Sequence, residues 1–369
     1  MAVSMSFLAD FEKEVSKIEG VTGQSIPPRN WFSFGNYVLN RVMSGSFRRG
    51  TPQGRITCVA GPSGSGKSFV VGNLVKNAQM AGAYILVIDS ENALDNDYME
   101  GIGVDTNDGY NYKDVSTINQ VVNVVSKFIK GYHKAYGTII ENPDQPPVLI
   151  AIDSLDMLST DTEQDHFAKG DAKGDQGQRS KQLKAMLRNF VTAIKHLNIQ
   201  MVVTHQVYRA SQEQILAGEG VWKVGDAIRY ACSQILLVTK LKLKAETGGA
   251  ITGIRMKCEG FKTRFALPFQ TVTIEVPYTT GMDPNSGIIE AFEAAGILKR
   301  GGSWYSVPDT EIKFQSKDLD TYVDRLLKIA DDREGLSLIA SEEDDEEQGK
   351  ETSKDLKLKR KNVAAGTEE

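Results

Sequence analysis

Apolar residues fall along this chain in two alternating rhythms. Short, nearly continuous apolar runs at 56–60 (ITCVA), 84–89 (YILVID), 148–153 (VLIAID), 199–204 (IQMVVT) and 233–239 (SQILLVT) predict buried strands, with two further strands at 253–257 and 272–276. Between them, apolar positions three to four apart predict helices over 34–43, 69–75, 118–129 and 180–196, the last with Leu183, Leu187 and Ile194 inward. Strands alternating with helices indicate an α/β fold with a mostly parallel twisted sheet built from βαβ crossovers.

The ends read differently. Residues 5–19 predict an amphipathic helix with Phe7, Leu8, Phe11, Val15 and Ile18 on one face and Glu12, Lys13, Glu14 and Lys17 opposite. Gly20, Gly23, Pro27 and Pro28 then interrupt regular structure. That helix can pack on its own core or on a neighbouring subunit, and spacing does not separate the two. From Gly281 the chain turns to short helices at 288–296 and 319–329 around a Gly301-Gly302 turn and Trp304-Tyr305. After Glu334 it becomes charged and polar, the composition of a disordered tail. The expected division is a helix and linker at 1–30, a core at 31–280, a small C-terminal region at 281–334 and a tail at 335–369.

Composition adds limits. Of 369 residues, 40% are apolar and 25% charged, a globular balance. No apolar run approaches the ~20 residues of a membrane span. The opening MAVSMSFLADFEKEV lacks the basic and apolar regions of a signal peptide, so the expectation is a cytoplasmic protein with no membrane partner. Cys58, Cys232 and Cys258 have no metal-ligand spacing and sit in apolar surroundings, as buried thiols in a reducing compartment do. The tail run 342–347 (EEDDEE) holds six carboxylates against a formal net charge of −5, so the remainder is near neutral and any polyanion site must be a local patch.

Candidate chemistry begins between the first strand and its helix. Gly61-Pro62-Ser63-Gly64-Ser65-Gly66-Lys67-Ser68, with Phe69 opening the helix, fits G-x-x-x-x-G-K-[ST] in the strand–loop–helix context that phosphate binding needs. Glycines let successive N–H groups converge on phosphate oxygens, and the helix N-terminus adds positive potential. Lys67 is expected to reach the β- and γ-phosphates and Ser68 to place its hydroxyl on Mg²⁺. Asp153 ends an apolar strand and suits the same ion. Glu91, after the 84–89 strand, is placed to activate an attacking water, or alternatively to cap a helix starting at Asn92. Gln206, at the end of the fourth strand, is placed to hydrogen-bond a γ-phosphate.

Two long segments follow these strand ends. One, 161–184, carries Lys169, Lys173 and Arg179 among glycines, and the other, 207–227, carries Tyr208, Arg209, Trp222 and Lys223, with Arg229 just beyond. The first, glycine-rich and basic, suits a phosphate backbone, and the bases interleaved with aromatics in the second suit single-stranded nucleic acid. The competing reading is a lid whose Trp222 packs on the core.

Together these residues resemble the RecA-type strand-exchange recombinases over about 34–305. PQGRITCVAG before the phosphate loop, VIDSENALDNDY, VLIAIDS, the THQ strand end and GFKTRFALPF stand in family order. GMDPNSGIIEAFEAAGILKRGGSWYS and the acidic tail look most like the UvsX recombinases of tailed phages. The resemblance implies a RecA-like ATPase core using ATP and Mg²⁺, with Glu91 as catalytic glutamate, Asp95 and Tyr98 on adenine and Gln206 as γ-phosphate sensor. It also implies that Lys262 and Arg264, which spacing alone reads as a solvated strand edge, reach a neighbour's phosphates. The two long segments become DNA-binding loops. The N-terminal helix becomes an oligomerisation element of a helical filament on single-stranded DNA, which captures homologous duplex and works with single-strand-binding and mediator proteins. A hexameric RecA-core helicase or RadA-like motor is the alternative; the chain lacks a zinc-finger cysteine cluster. An ATP-binding assembly scaffold is a third reading, against which Glu91 and the basic–aromatic loops count.

Overall fold

All seven predicted strands form, and they join in one eight-stranded sheet. The computed structural model describes residues 5–18, 26–171, 177–211, 213, 221–244 and 249–332. Strands β1 (Ile56–Gly61), β2 (Tyr84–Asp89), β3 (Tyr110–Asp114), β4 (Val148–Asp153), β5 (Ile199–Gln206), β6 (Gln234–Lys244), β7 (Ile251–Lys262) and β8 (Thr271–Pro277) lie in the order β8-β7-β6-β1-β5-β4-β2-β3. The pairs from β6 to β3 are parallel, while β7 and β8 extend the sheet as an antiparallel meander.

The strands read as continuous apolar runs because both faces are covered. Alternate residues enter two separate cores. Val59, Ile85, Val87, Leu149 and Ala151 face one, and Ile56, Cys58, Leu86, Ile88, Ile150 and Ile152 face the other. The first core receives α2 (Tyr37–Ser44) and α3 (Lys67–Met80), the latter through Val70, Val71, Leu74 and Val75. The second receives α5 (Ile118–Tyr136) and α7 (Gln178–Ile194). In α5 a Thr117–Gln120 capping box sets the start, and Ile118, Val121, Val125, Ile129 and Tyr132 fall on one stripe against the sheet. The three cysteines are buried and reduced.

The C-terminal region, with α9 (Ile288–Ala294) and α10 (Leu319–Asp331), shares the first core. Phe292 meets Phe47 edge-on at 5.6 Å between centroids, and Phe314, Leu326 and Leu327 join the same cluster. At the other end α1 (Met5–Val15) turns Phe7, Leu8 and Phe11 to solvent. The 335–369 tail lies outside the described residues. Among the described residues no helix is long and apolar enough to cross a membrane.

Several elements go beyond those the sequence predicts. Strand β3, YNYKD, has no apolar run because it is a half-exposed edge. The first basic segment is not all loop: α6 (Asp161–Ala168) begins on a Thr160–Glu163 capping box, and α7 starts at Gln178. The second closes at its base as a two-residue ribbon pairing Tyr208 with Lys223 and Arg209 with Trp222. Helices α4 (Asn96–Ile102) and α8 (Asp226–Ala231) are short and carry little periodicity.

Candidate nucleotide site and DNA-facing loops

Parallel pairing brings the C-terminal ends of β1, β5, β4 and β2 side by side, where α/β sheets bind ligands. Register places Gly61 beside Gln206 and Asp89 beside Asp153. Gly61 must lack a side chain, since a Cβ there would stand 2.3 Å from the Val238 carbonyl oxygen. Gly66 adopts φ +98° as the turn enters α3. Lys67 Nζ donates to the Gly61 and Pro62 carbonyls at 3.2 and 3.0 Å, which holds the ammonium inside the loop. Lys240, from the KLKLK stretch of β6, sets a second ammonium over Gly64, 3.5 Å from where a Cβ would be. The 240–244 alternation was its signal in the sequence, and the reading above passed it over.

Asp153 is buried, and its Oδ1 accepts the Thr204 hydroxyl. Its Oδ2 is buried and, among the described residues, accepts no hydrogen bond. Burial raises the Asp153 pKa, Thr204 and Ser68 oppose that rise, and Glu91 and Asp89 add to it. A buried carboxylate oxygen without a donor, beside a serine hydroxyl and a phosphate loop, fits a hard divalent cation such as Mg²⁺. Asp153→Asn should therefore raise the thermal midpoint in metal-free buffer, because a charge is no longer buried, and should remove the stabilisation by Mg²⁺ with nucleotide. Paired melts with and without Mg²⁺ check this; an unchanged Mg²⁺ response excludes Asp153 as a ligand.

Glu91 is exposed beside this site, and its Oε1 accepts the Ser154 hydroxyl. The 90–94 turn that carries it is pinned by buried Asp89, which accepts Glu91 N–H at 2.9 Å and Leu94 N–H at 2.8 Å. Ser90 Oγ donates to the Ser154 carbonyl at 2.7 Å and accepts its N–H at 3.0 Å. Glu91 is no helix cap: Asp95 caps α4, accepting Tyr98 N–H at 2.8 Å. Tyr98 is half-buried, and burial with the nearby Asp153 charge pushes its phenol up to about 12. Asp95 and Tyr98 thus share the helix start on this side of the cleft.

The structure divides the expected DNA contacts. Tyr208, Arg209 and Arg229 are exposed, as is Lys169 at the end of α6. Tyr230, next to Arg229, is 76% exposed with Lys184 Nζ 6.0 Å from its ring. Trp222 is half-buried against the second core. Arg179 clamps the carbonyls of Leu158 and Asp156, each at 2.6 Å, and Leu155 at 2.8 Å, so its guanidinium shapes the turn after β4. Lys173 lies outside the described residues. Lys262 Nζ bonds within its own protomer, to the carbonyls of Arg229 and Cys232 at the end of α8. Burial, with Arg264 and Arg229 nearby, lowers its pKa, while Arg264 itself is exposed.

Comparison with known proteins supports the same assignment. Residues 22–283 match the RecA N-terminal domain. The chain is 27% identical to the RecA protein of Clostridioides difficile over 314 residues, 83% of either chain. It is 26% identical to that of a Nocardioides species over 262 residues, 70% of this chain and 68% of that one. The Thermus aquaticus RecA protein is 24% identical over 262 residues, 70% of each. With the phosphate loop, the strand-end acids and the sheet order in place over this span, the chain belongs to the RecA family.

Proposed function

We propose that this protein is an ATP-dependent DNA recombinase that assembles as a helical filament on single-stranded DNA, pairs it with homologous duplex and exchanges strands. The observation that carries this is topological. The segments bearing exposed bases and aromatics follow β4 and β5, the strands that hold Asp153 and Gln206, the first after a turn and the second at once. Nucleotide state and DNA contact thus share two strand ends. Within the family we place the chain nearest the UvsX recombinases, on the strength of 281–306 and the acidic run 342–347.

The residues act as follows. Backbone N–H groups of 61–68 and the Lys67 ammonium hold the phosphates, while Asp95 and Tyr98 take the adenine. Mg²⁺, held by Ser68 and Asp153, supplies charge neutralisation at the phosphates when bound. Glu91 orients and deprotonates the attacking water, and the Ser154 hydroxyl fixes its carboxylate. Gln206 donates to the γ-phosphate and reports its presence to the second loop. ATP favours the extended filament and hydrolysis favours release. Base pairing, not protein contact, reads the sequence. The work takes place in the cytoplasm.

Glu91→Gln retains an acceptor for Ser154 and loses the base. Turnover should fall by a factor on the order of 10² or more while ATP and DNA stay bound in long-lived filaments. Single-turnover hydrolysis at the wild-type rate excludes Glu91 as the base. Negative-stain images of the same complexes separate the alternatives: a helical filament supports the recombinase, a closed ring the hexameric motor, and neither the scaffold.

A further inference from the structure

Two side chains between the nucleotide strands and the second loop have been given no role. We infer that Asp156 and His205 are positioning residues that tie the end of the second DNA loop to Gln206, an inference that rests on the reading above. Asp156 stands three residues past Asp153, where the chain leaves β4. Its carboxylate accepts the backbone N–H of Gln206 at 2.5 Å, and His205 Nδ1 stands 3.1 Å from it. Both side chains are 12% exposed. On the far side of the ring, Nε2 accepts the backbone N–H of Gly225 at 3.3 Å. Gly225 is the residue on which α8 begins, at the close of the second loop.

The donor at Gly225 fixes the tautomer. Nε2 holds a lone pair, so Nδ1 carries the proton and donates it to Asp156. The ring is then a rigid two-ended link with one hydrogen bond to each side. Other contacts reach the same carboxylate-bearing residue. Asp156 N–H donates to Ser154 Oγ at 3.3 Å, and that hydroxyl holds Glu91. Arg179, where the first loop returns into α7, donates to the Asp156 carbonyl at 2.6 Å. The catalytic carboxylate, the glutamine and the ends of both loops therefore meet at Asp156. A shift of Gln206 towards or away from phosphate draws on Asp156 and, through His205, on Gly225. Hydrogen bonds among poorly solvated groups, made to both ends of one rigid ring, couple such a shift to the loop.

The contact at Gly225 supplies a specific test. Its φ of −56° and ψ of 141° suit any residue, so Ala strains no backbone there. An added Cβ would stand 3.2 Å from His205 Nε2 and press on the ring. The readout is the affinity of full-length protein for a labelled oligo-dT with a slowly hydrolysed ATP analogue, divided by its affinity with ADP. His205→Ala should lower this ratio by a factor on the order of ten. Gly225→Ala should lower it in the wild-type background and have no further effect alongside His205→Ala, where the methyl group has room. His205→Asn keeps a donor for Asp156 but does not reach Gly225, and should resemble His205→Ala. An unchanged ratio in His205→Ala overturns the tie, as does an equal effect of Gly225→Ala in both backgrounds. A wild-type protein that binds oligo-dT in neither state overturns the proposed function and this inference together. Nucleotide-dependent binding by wild type with indifferent variants overturns this inference alone.

Discussion

Lys67→Ala should weaken ATP binding by about 10²–10⁴-fold and abolish every nucleotide-dependent step. The variant loses at least two charge-assisted hydrogen bonds to phosphate, at about 1.5–3 kcal/mol each. Lys240 approaches the loop from β6 but lies over Gly64, on the side where a Cβ would project. The fold should survive. Lys67 begins α3 and is only half-buried, while α3 is anchored by Val70, Val71, Leu74 and Val75 in the first core. Loss of the ammonium leaves the Gly61 and Pro62 carbonyls without their donor, a modest cost where solvent has access. A fluorescent-nucleotide titration beside a thermal melt checks both parts. Undiminished DNA-stimulated hydrolysis at an unchanged midpoint excludes this loop as the ATP site.

The nucleotide half of the site was legible in the sequence for a physical reason. Gly61, Asp89, Asp153 and Gln206 sit at the ends of buried parallel strands, and Lys67 opens the helix after the first of them; such strands announce themselves as apolar runs with abrupt polar ends. What the sequence hid is how side chains are used once folded. Arg179 and Lys262 read as cations seeking an anion, yet each is bonded to backbone carbonyls of its own protomer. Trp222 read either as a stacking platform or as a core contact, and it is half-buried against the second core, while Tyr208 and Tyr230 are exposed rings. Asp156 carries no motif, and His205 stands in the THQ strand end without a role of its own there; only the register of β4 against β5 and the return of the loop at Gly225 bring them together. Helix α6 was legible through Thr160-x-x-Glu163 but was outweighed by glycine and charge.

The replacement of both Lys262 and Arg264 by Ala tests whether the active site is finished only by assembly. If these bases serve a neighbour's γ-phosphate as an arginine finger does, their loss should cost about 10³–10⁵ in rate. The protomer shows what such service requires. Lys262 Nζ is held by the Arg229 and Cys232 carbonyls, so it must exchange those bonds for phosphate as the interface closes. That exchange loosens its hold on the end of α8, the helix that follows the second loop. Interface closure and loop position are then linked through one ammonium. The double variant should fold and bind nucleotide weakly as a monomer, yet lose DNA-stimulated hydrolysis and ATP-dependent cooperativity on single-stranded DNA. Mixing makes the requirement sharper. Glu91→Gln protomers keep both bases and lack the carboxylate, and double-Ala protomers have the reverse defect. In a head-to-tail filament each interface joins one protomer's Glu91 to the next protomer's bases. Some interfaces of a mixed filament therefore carry a complete set, and hydrolysis should recover in part, most at equal proportions. Mixed filaments that form but recover nothing at any ratio assign both bases to their own protomer, where the carbonyls of Arg229 and Cys232 already hold Lys262.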